Sequence, residues 1–135
     1  MKPIYLEDLI TNKLYEILCD SHPRTIGRGK DCDIITNADY SDISRLQAEV
    51  IYLPNEIRLI QRSENSKTLV GNEEKGYDEV FQGTDARLYP GHSIIMGKDY
   101  MFRVWFYNEI KERLTKERIA RSEDTKIVKS DEIIN

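Results

Sequence analysis

Short strand-like runs, each cut off by turn-forming residues, fill the chain from about Tyr5 to Trp105, and no helical segment interrupts them. A side-chain period of two buries one face of a segment while the other meets water, which is what a β-strand offers. Residues 5–9 and 14–18 flank Thr11-Asn12-Lys13, a hairpin signal. Residues 48–52 and 57–60 flank Pro54-Asn55, a second turn. Arg87-Leu88-Tyr89 leads into Pro90-Gly91, where proline pre-sets one φ angle and glycine accepts the positive φ that follows, as a type II turn requires. Taken alone, residues 88–97 read as a hairpin. Residues 93–96 and 100–105 complete the set, with Tyr100, Phe102 and Val104 on one face and Arg103 on the other. Residues 72–86, with Gly76 and Gly83 inside, exceed a plain hairpin loop, and Val80-Phe81 reads as a short strand within them. Short strands joined by turns predict an all-β sandwich of two antiparallel or mixed sheets.

From Asn108 onward the character changes. Asn108 is a helix-cap residue, Glu109 and Glu112 fall in a first turn, and Arg118 and Arg121 near an end. Only Ile110, Leu114 and Ile119 are apolar there, so a short, weakly packed C-terminal helix is expected, followed by a flexible charged tail over 122–135. The division expected is a folded domain over 1–107 and a helix plus tail over 108–135.

A chain of 135 residues suits one domain with a working core. No stretch approaches the ~20 apolar residues a membrane helix needs. Glu7 and Asp8 stand where a signal peptide would run apolar. A cytoplasmic location is expected. Cys19 and Cys32 read as buried thiols, with Cys32 alternating with Ile34 as a core strand residue. A metal set of Cys19, His22, Cys32 and His92 matches no compact spacing, so no metal and no cofactor is expected. No hydrolase, P-loop or paired-carboxylate motif is present, and His92 reads as a polar turn residue, so catalysis is not expected.

Net charge is −4, and residues 108–135 hold 7 basic and 7 acidic side chains, so the deficit lies in residues 1–107. Nucleic acid demands a basic face. Lys111, Arg113, Lys116, Arg118 and Arg121 are interleaved with Glu109, Glu112 and Glu117, as on a solvated helix. Arg24, Arg28, Lys30, Arg45, Arg62 and Lys67, by contrast, fall in or beside segments expected to form one rim of the sandwich.

Gly27-Arg28 and Ser44-Arg45 lie on opposite sides of a short strand-like stretch. Arginine presents a flat, permanently charged fork of N–H donors. Two such forks and a serine hydroxyl, delivered from different loops, suit a phosphate dianion. The order 25-TIGR-28, Cys32-Asp33-Ile34, Ile43-Ser44-Arg45, Thr68-Leu69-Val70, 88-LYPG-91 and 94-IIMG-97 resembles the forkhead-associated (FHA) domain from roughly Ile4 to Phe106. The resemblance implies a β-sandwich with binding loops gathered at one end. It further implies a non-catalytic module that binds a phosphothreonine-containing protein segment, a kinase substrate, in signalling. Arg28, Ser44 and Arg45 are then the expected phosphate ligands, and Asn65, Ser66 and Lys67 the expected peptide-side contacts.

Gly27, Gln47, Thr68, Gly91 and Gly97 fall on structural positions of the family motif, with Gly27 expected to permit the sharp turn that aims Arg28. The sequence departs from the family where Ser66-Lys67 replaces an asparagine–glycine pair and where Gln47 replaces a histidine. Gln47 is expected to brace the same loop less rigidly. These departures keep open a second reading, a degenerate FHA-fold scaffold for phosphate-independent interaction or self-association. The tail also carries Thr125 in an acidic setting with Val128 three positions on, so a phosphorylated Thr125 would be a candidate ligand for this pocket or that of a second copy.

Overall fold

A computed structural model describes residues 1–120 and 127–129, with side chains over 1–114. In chain order the elements are β1 (Ile4–Asp8), β2 (Leu14–Ile17), β3 (Arg24–Gly27), β4 (Ile34–Ile35), β5 (Ala48–Leu53), β6 (Glu56–Gln61), β7 (Thr68–Asn72), β8 (Gly76–Glu79), β9 (Asp85–Leu88), β10 (Ser93–Met96), β11 (Tyr100–Phe106), helix α1 (Tyr107–Ala120) and β12 (Ile127–Lys129). They form a seven-stranded sheet, β12-β2-β1-β11-β10-β7-β8, and a five-stranded sheet, β4-β3-β5-β6-β9. The expected all-β sandwich with a C-terminal helix is the fold observed. Most neighbours pair antiparallel, while β3–β4 and β12–β2 are parallel.

The period-two pattern places the core. Along β5 and β6 every second residue is buried, and Ala48, Val50 and Leu59 from one sheet meet Ile94, Met96, Phe102 and Val104 from the other, all fully buried. Each fully buried aliphatic or aromatic side chain contributes about 1.5–3 kcal/mol. Register sets which ends of the strands coincide. Ile26 pairs with Ala48 and Ala48 with Gln61, while Met96 pairs with both Thr68 and Tyr100. The loops after β3, before β5, after β6 and after β10 therefore meet at one pole.

The structure departs from several local readings. Residues 88–97 are not a hairpin: β9 pairs with β6 and β10 with β7 and β11, so the chain crosses from one sheet to the other at Pro90-Gly91. The turn itself is as expected, with Gly91 at φ +79° and the His92 N–H donating to the Tyr89 carbonyl at 3.0 Å. Val80-Phe81 is not a strand. The strand in that segment is β8, and it pairs with β7. The helix begins at Tyr107 rather than after Asn108, and Glu109 reaches back to accept from the Phe106 N–H at 2.8 Å. Nor does the helix pack weakly, because Ile110 and Leu114 are buried with Tyr5 and Leu14 in a second cluster on the outer side of the large sheet. The Arg113 guanidinium and the Trp105 indole N–H both donate to Glu7, at 2.6 and 3.0 Å. In the expected flexible tail, Ile127–Lys129 pairs with β2 as β12. Thr125 lies outside the described residues. No described helix is long and apolar enough to cross a membrane.

Candidate phosphate cleft at the loop pole

Two backbone bonds bring the arginine motifs together. The Arg28 N–H donates to the Ser44 carbonyl and the Gly29 N–H to the Arg45 carbonyl, each at 3.0 Å. This zipping demands glycine. A Cβ on Gly27 would stand 2.2 Å from the Arg45 carbonyl oxygen, and one on Gly29 2.9 Å from it. Gly27 is thus required for close approach of two backbones, not for the turn the sequence suggested.

The Arg28 side chain is half-buried, and its Nε donates to the Ile43 carbonyl at 2.9 Å. That bond fixes the plane of the guanidinium and leaves its terminal nitrogens without a partner among the described residues. Arg45 is exposed and makes no described ion pair. Arg28, Lys30 and Arg45 line one cleft of about 680 Å³, with Asp31, Cys32 and Leu46. Cys32 is not a strand residue of the core. It lies in the β3–β4 loop, half-buried, and its thiol donates to the Arg45 carbonyl at 3.0 Å. Burial pushes that thiol up, so it stays neutral and leaves the positive potential of the cleft intact.

Ser44 carries a hydroxyl whose direction follows from counting donors. The Ser63 hydroxyl oxygen accepts from the Asn65 and Ser66 N–H groups, both at 3.1 Å. Those two bonds occupy its two lone pairs, so its proton goes to the Ser44 oxygen, 2.5 Å away. Ser44 then keeps its own proton free for an anion. The sequence reading missed Ser63, whose only local signal is a small hydroxyl residue opening the polar run 63-SENS-66.

Gln47 braces this pole. It is fully buried, its Oε1 accepts from the Ser44 N–H at 2.9 Å, and its Nε2 donates to the Ser66 and Lys67 carbonyls and to the Thr68 hydroxyl at 2.9–3.1 Å. One amide thus ties the β4–β5 loop to the β6–β7 loop. From the other side, Gly97, at φ +62°, lets its N–H reach the Lys67 carbonyl at 2.9 Å, and a Cβ there would meet the Asp42 carboxylate at 2.4 Å. Deeper, the buried Tyr100 hydroxyl donates to Asp8 at 2.5 Å and accepts from the Asn37 N–H at 2.9 Å, which seats the loop leading to Ser44.

The remaining predicted residues divide. The Ser66 hydroxyl donates to the Asp42 carbonyl at 2.6 Å, so it closes the loop rather than facing outward. Asn65 and Lys67 are exposed, and with Ser66 they line a separate cleft, not the one holding Arg28 and Arg45. Two of the rim cations are neutralised. Arg24 sits at the far end of β3, buried, paired with Asp20 at 2.8 Å, and Arg62 pairs with Glu49 at 2.7 Å. His92 is half-buried at the opposite pole, where its ring packs edge-on against Tyr89.

This architecture defines a class. The FHA domain family profile matches residues 24–97. The chain belongs to the FHA domain family. Among solved structures it is similar to Mycobacterium tuberculosis EmbR in complex with a low-affinity phosphopeptide, at 23% identity and a TM-score of 0.60, over 78% of this chain and 24% of EmbR. It is also similar to the FHA domain of human APLF in complex with an XRCC1 bisphospho peptide, at 21% identity and a TM-score of 0.61, over 76% and 97% of the two chains. A third likeness is to the N-terminal FHA domain of S. cerevisiae Rad53p in complex with a phosphothreonine peptide, at 16% identity and a TM-score of 0.64, over 83% and 99%. The chain spans about a quarter of EmbR and nearly all of the other two. A search of curated proteins finds no match.

Proposed function

We propose that this chain is a phosphothreonine-dependent interaction module, with Arg28, Ser44 and Arg45 as the phosphate ligands. The observation that carries this is one cleft lined by Arg28, Lys30 and Arg45, with Ser44 next to Arg45 in the chain and its hydroxyl bonded to that of Ser63. A phosphothreonine brings about −1.5 to −2 charges and three acceptor oxygens. A guanidinium held in plane and a second one free to swing suit that shape, and clustered arginines are a general means of reading phosphorylated motifs. Membership of the FHA family and likeness to domains solved with phosphopeptides support the same reading. The partner is a protein segment phosphorylated by a kinase, read without catalysis, and we assign the chain to the cytoplasm on that chemistry. Residues 1–107 form the binding domain in this proposal. The test is calorimetric titration with a phosphothreonine peptide and its unphosphorylated twin. Binding confined to the phosphorylated peptide is expected, and equal affinity for both would instead favour a scaffold that ignores phosphate.

A further inference from the structure

At the pole opposite the arginines lies a groove of about 360 Å³. Met1 and Phe106 line it beside the large sheet, Tyr52, Ile57 and Leu88 beside the small one, and Tyr89 on the crossover between them. The Tyr52 hydroxyl donates to the Lys2 carbonyl at 3.0 Å and so holds residues 1–2 at the groove. Apolar surface is concentrated here. Met1, Leu18, Tyr89 and Phe106 are four of the seven large hydrophobic side chains that stand exposed among the described residues, and Met1 is 83% exposed. An apolar patch with a polar rim marks a surface that something covers. The rim is basic. Lys2 lies over the Tyr107 ring and Arg87 over the Tyr89 ring, 4.6 and 5.2 Å from the centres. Neither makes an ion pair among the described residues, whereas Glu56, the acid of the groove, is already paired with Arg58 at 3.1 Å.

Strand β12 delivers the chain to this pole. It runs parallel to β2 with Lys129 level with Glu16, so the chain leaves it at the level of Ile17. Ile17 pairs with Ile4, and Ile4 with Phe106. From β12 to Phe106 is therefore three strand spacings, about 14 Å. Four extended residues span about 13–14 Å. Residues 130–135, SDEIIN, lie outside the described residues. The fourth and fifth positions after Lys129 are Ile133 and Ile134, preceded by Asp131 and Glu132. The apolar pair is thus within reach of Phe106 and Met1, and the exposed Leu18, next after Ile17, lies on the way.

We propose that this groove is an intrachain docking site for residues 130–135. Ile133 and Ile134 cover Met1, Tyr89 and Phe106, while Asp131 and Glu132 meet the unpaired charges of Lys2 and Arg87. One short segment supplies both things the groove lacks, apolar cover and negative charge at its rim. The site lies away from the phosphate cleft and does not depend on the phosphate reading.

The three methionines provide the test: Met1 lines the groove, Met96 is fully buried in the core, and Met101 stands in β11. The full chain is labelled with carbon-13 at its methionine methyl groups and compared by NMR with the variant Ile133→Asp/Ile134→Asp. In the wild type the Met1 methyl signal should stand away from the position of a free methionine. The variant should return it there and leave Met96 and Met101 unmoved, which also shows that the fold is intact. Asp131→Lys/Glu132→Lys should move Met1 part of the way. A Met1 signal that is the same in the wild type and in Ile133→Asp/Ile134→Asp overturns the docking. So does a wild-type Met1 signal that moves to the variant's position on dilution, because a second copy would then be what covers the groove.

Discussion

The α-carbon of Gly27 lies so close to Arg45 that a single added methyl group would stand 2.2 Å from the Arg45 carbonyl oxygen. The obstacle is backbone, which cannot rotate aside. Gly27→Ala must therefore push the β3–β4 loop off the Ser44–Arg45 segment and break the bonds from Arg28 N–H and Gly29 N–H. A loss of at least about 1–3 kcal/mol in unfolding free energy is expected, typical of overpacking. Phosphopeptide affinity should fall with it, because Arg28 and Arg45 no longer share a cleft. Denaturant unfolding and calorimetry on the same preparation would check both, and unchanged affinity would show that the close approach does not serve binding.

Arg28→Ala should reduce phosphopeptide binding below detection while the fold persists, because the side chain is half-buried and only one of its nitrogens is used internally. Arg28→Lys should not restore it, since an ammonium cannot hold the Ile43 carbonyl and present a planar fork together. Ser44→Ala should cost about 1–3 kcal/mol of binding, the scale of a bond to a charged group. Wild-type affinity in Arg28→Ala would remove the site assignment.

Ser63 and Ser44 should behave as one unit. If the bond from the Ser63 hydroxyl is what holds the Ser44 oxygen in position, Ser63→Ala weakens phosphopeptide binding without touching the ligand, and the double variant is no weaker than Ser44→Ala alone. A double-mutant cycle should then return an interaction of about 0.5–3 kcal/mol. Strict additivity would mean that the two hydroxyls act independently.

Helix docking should depend on acid. Burial raises the Glu7 carboxyl, but bonds from Arg113 and Trp105 and the charges of Arg113 and Arg103 outweigh that and leave it below its ordinary value of 4.5. A folded-state pKa below the unfolded one gives stability that is fully present above about 4.5 and is lost as pH falls through the folded value. Near-UV circular dichroism of Trp105 should report undocking of α1 at lower pH than 4.5. In Glu7→Gln this acid transition should be absent or weakened.

Much of this was open to a reader of the chain. The turn at Pro54-Asn55 marked the strands on either side of it, and alternation in residues 100–105 marked the inward side chains, because burial on one face demands a period of two whatever the partner strand. Asn12, now seen at φ 64°, and Pro90-Gly91 marked turns by their own backbone preferences. The order of glycine–arginine and serine–arginine motifs marked the loop pole and the family.

What stayed hidden concerns pairs far apart in the chain. Whether Pro90-Gly91 closes a hairpin or carries the chain between sheets depends on which strands β9 and β10 find, and each satisfies its own pattern either way. Cys32 alternates with Ile34 as a core residue would, yet the bonds of the β3–β4 loop to Ser44 and Arg45 turn it toward the cleft. Ser63 is one small polar residue among several until Ser44 arrives beside it.

The residues themselves therefore determined the strand pattern, the turns and the chemical character of the loops, since these follow from period, φ preference and charge within a few neighbours. Only the tertiary structure decided that Asn65 and Lys67 line a different cleft from the arginines, that glycine at 27 serves a contact rather than a bend, and that one buried amide, Gln47, locks two loops. Those outcomes are fixed by strand register between sheets, which sums the packing of the entire core and is not written in any single segment.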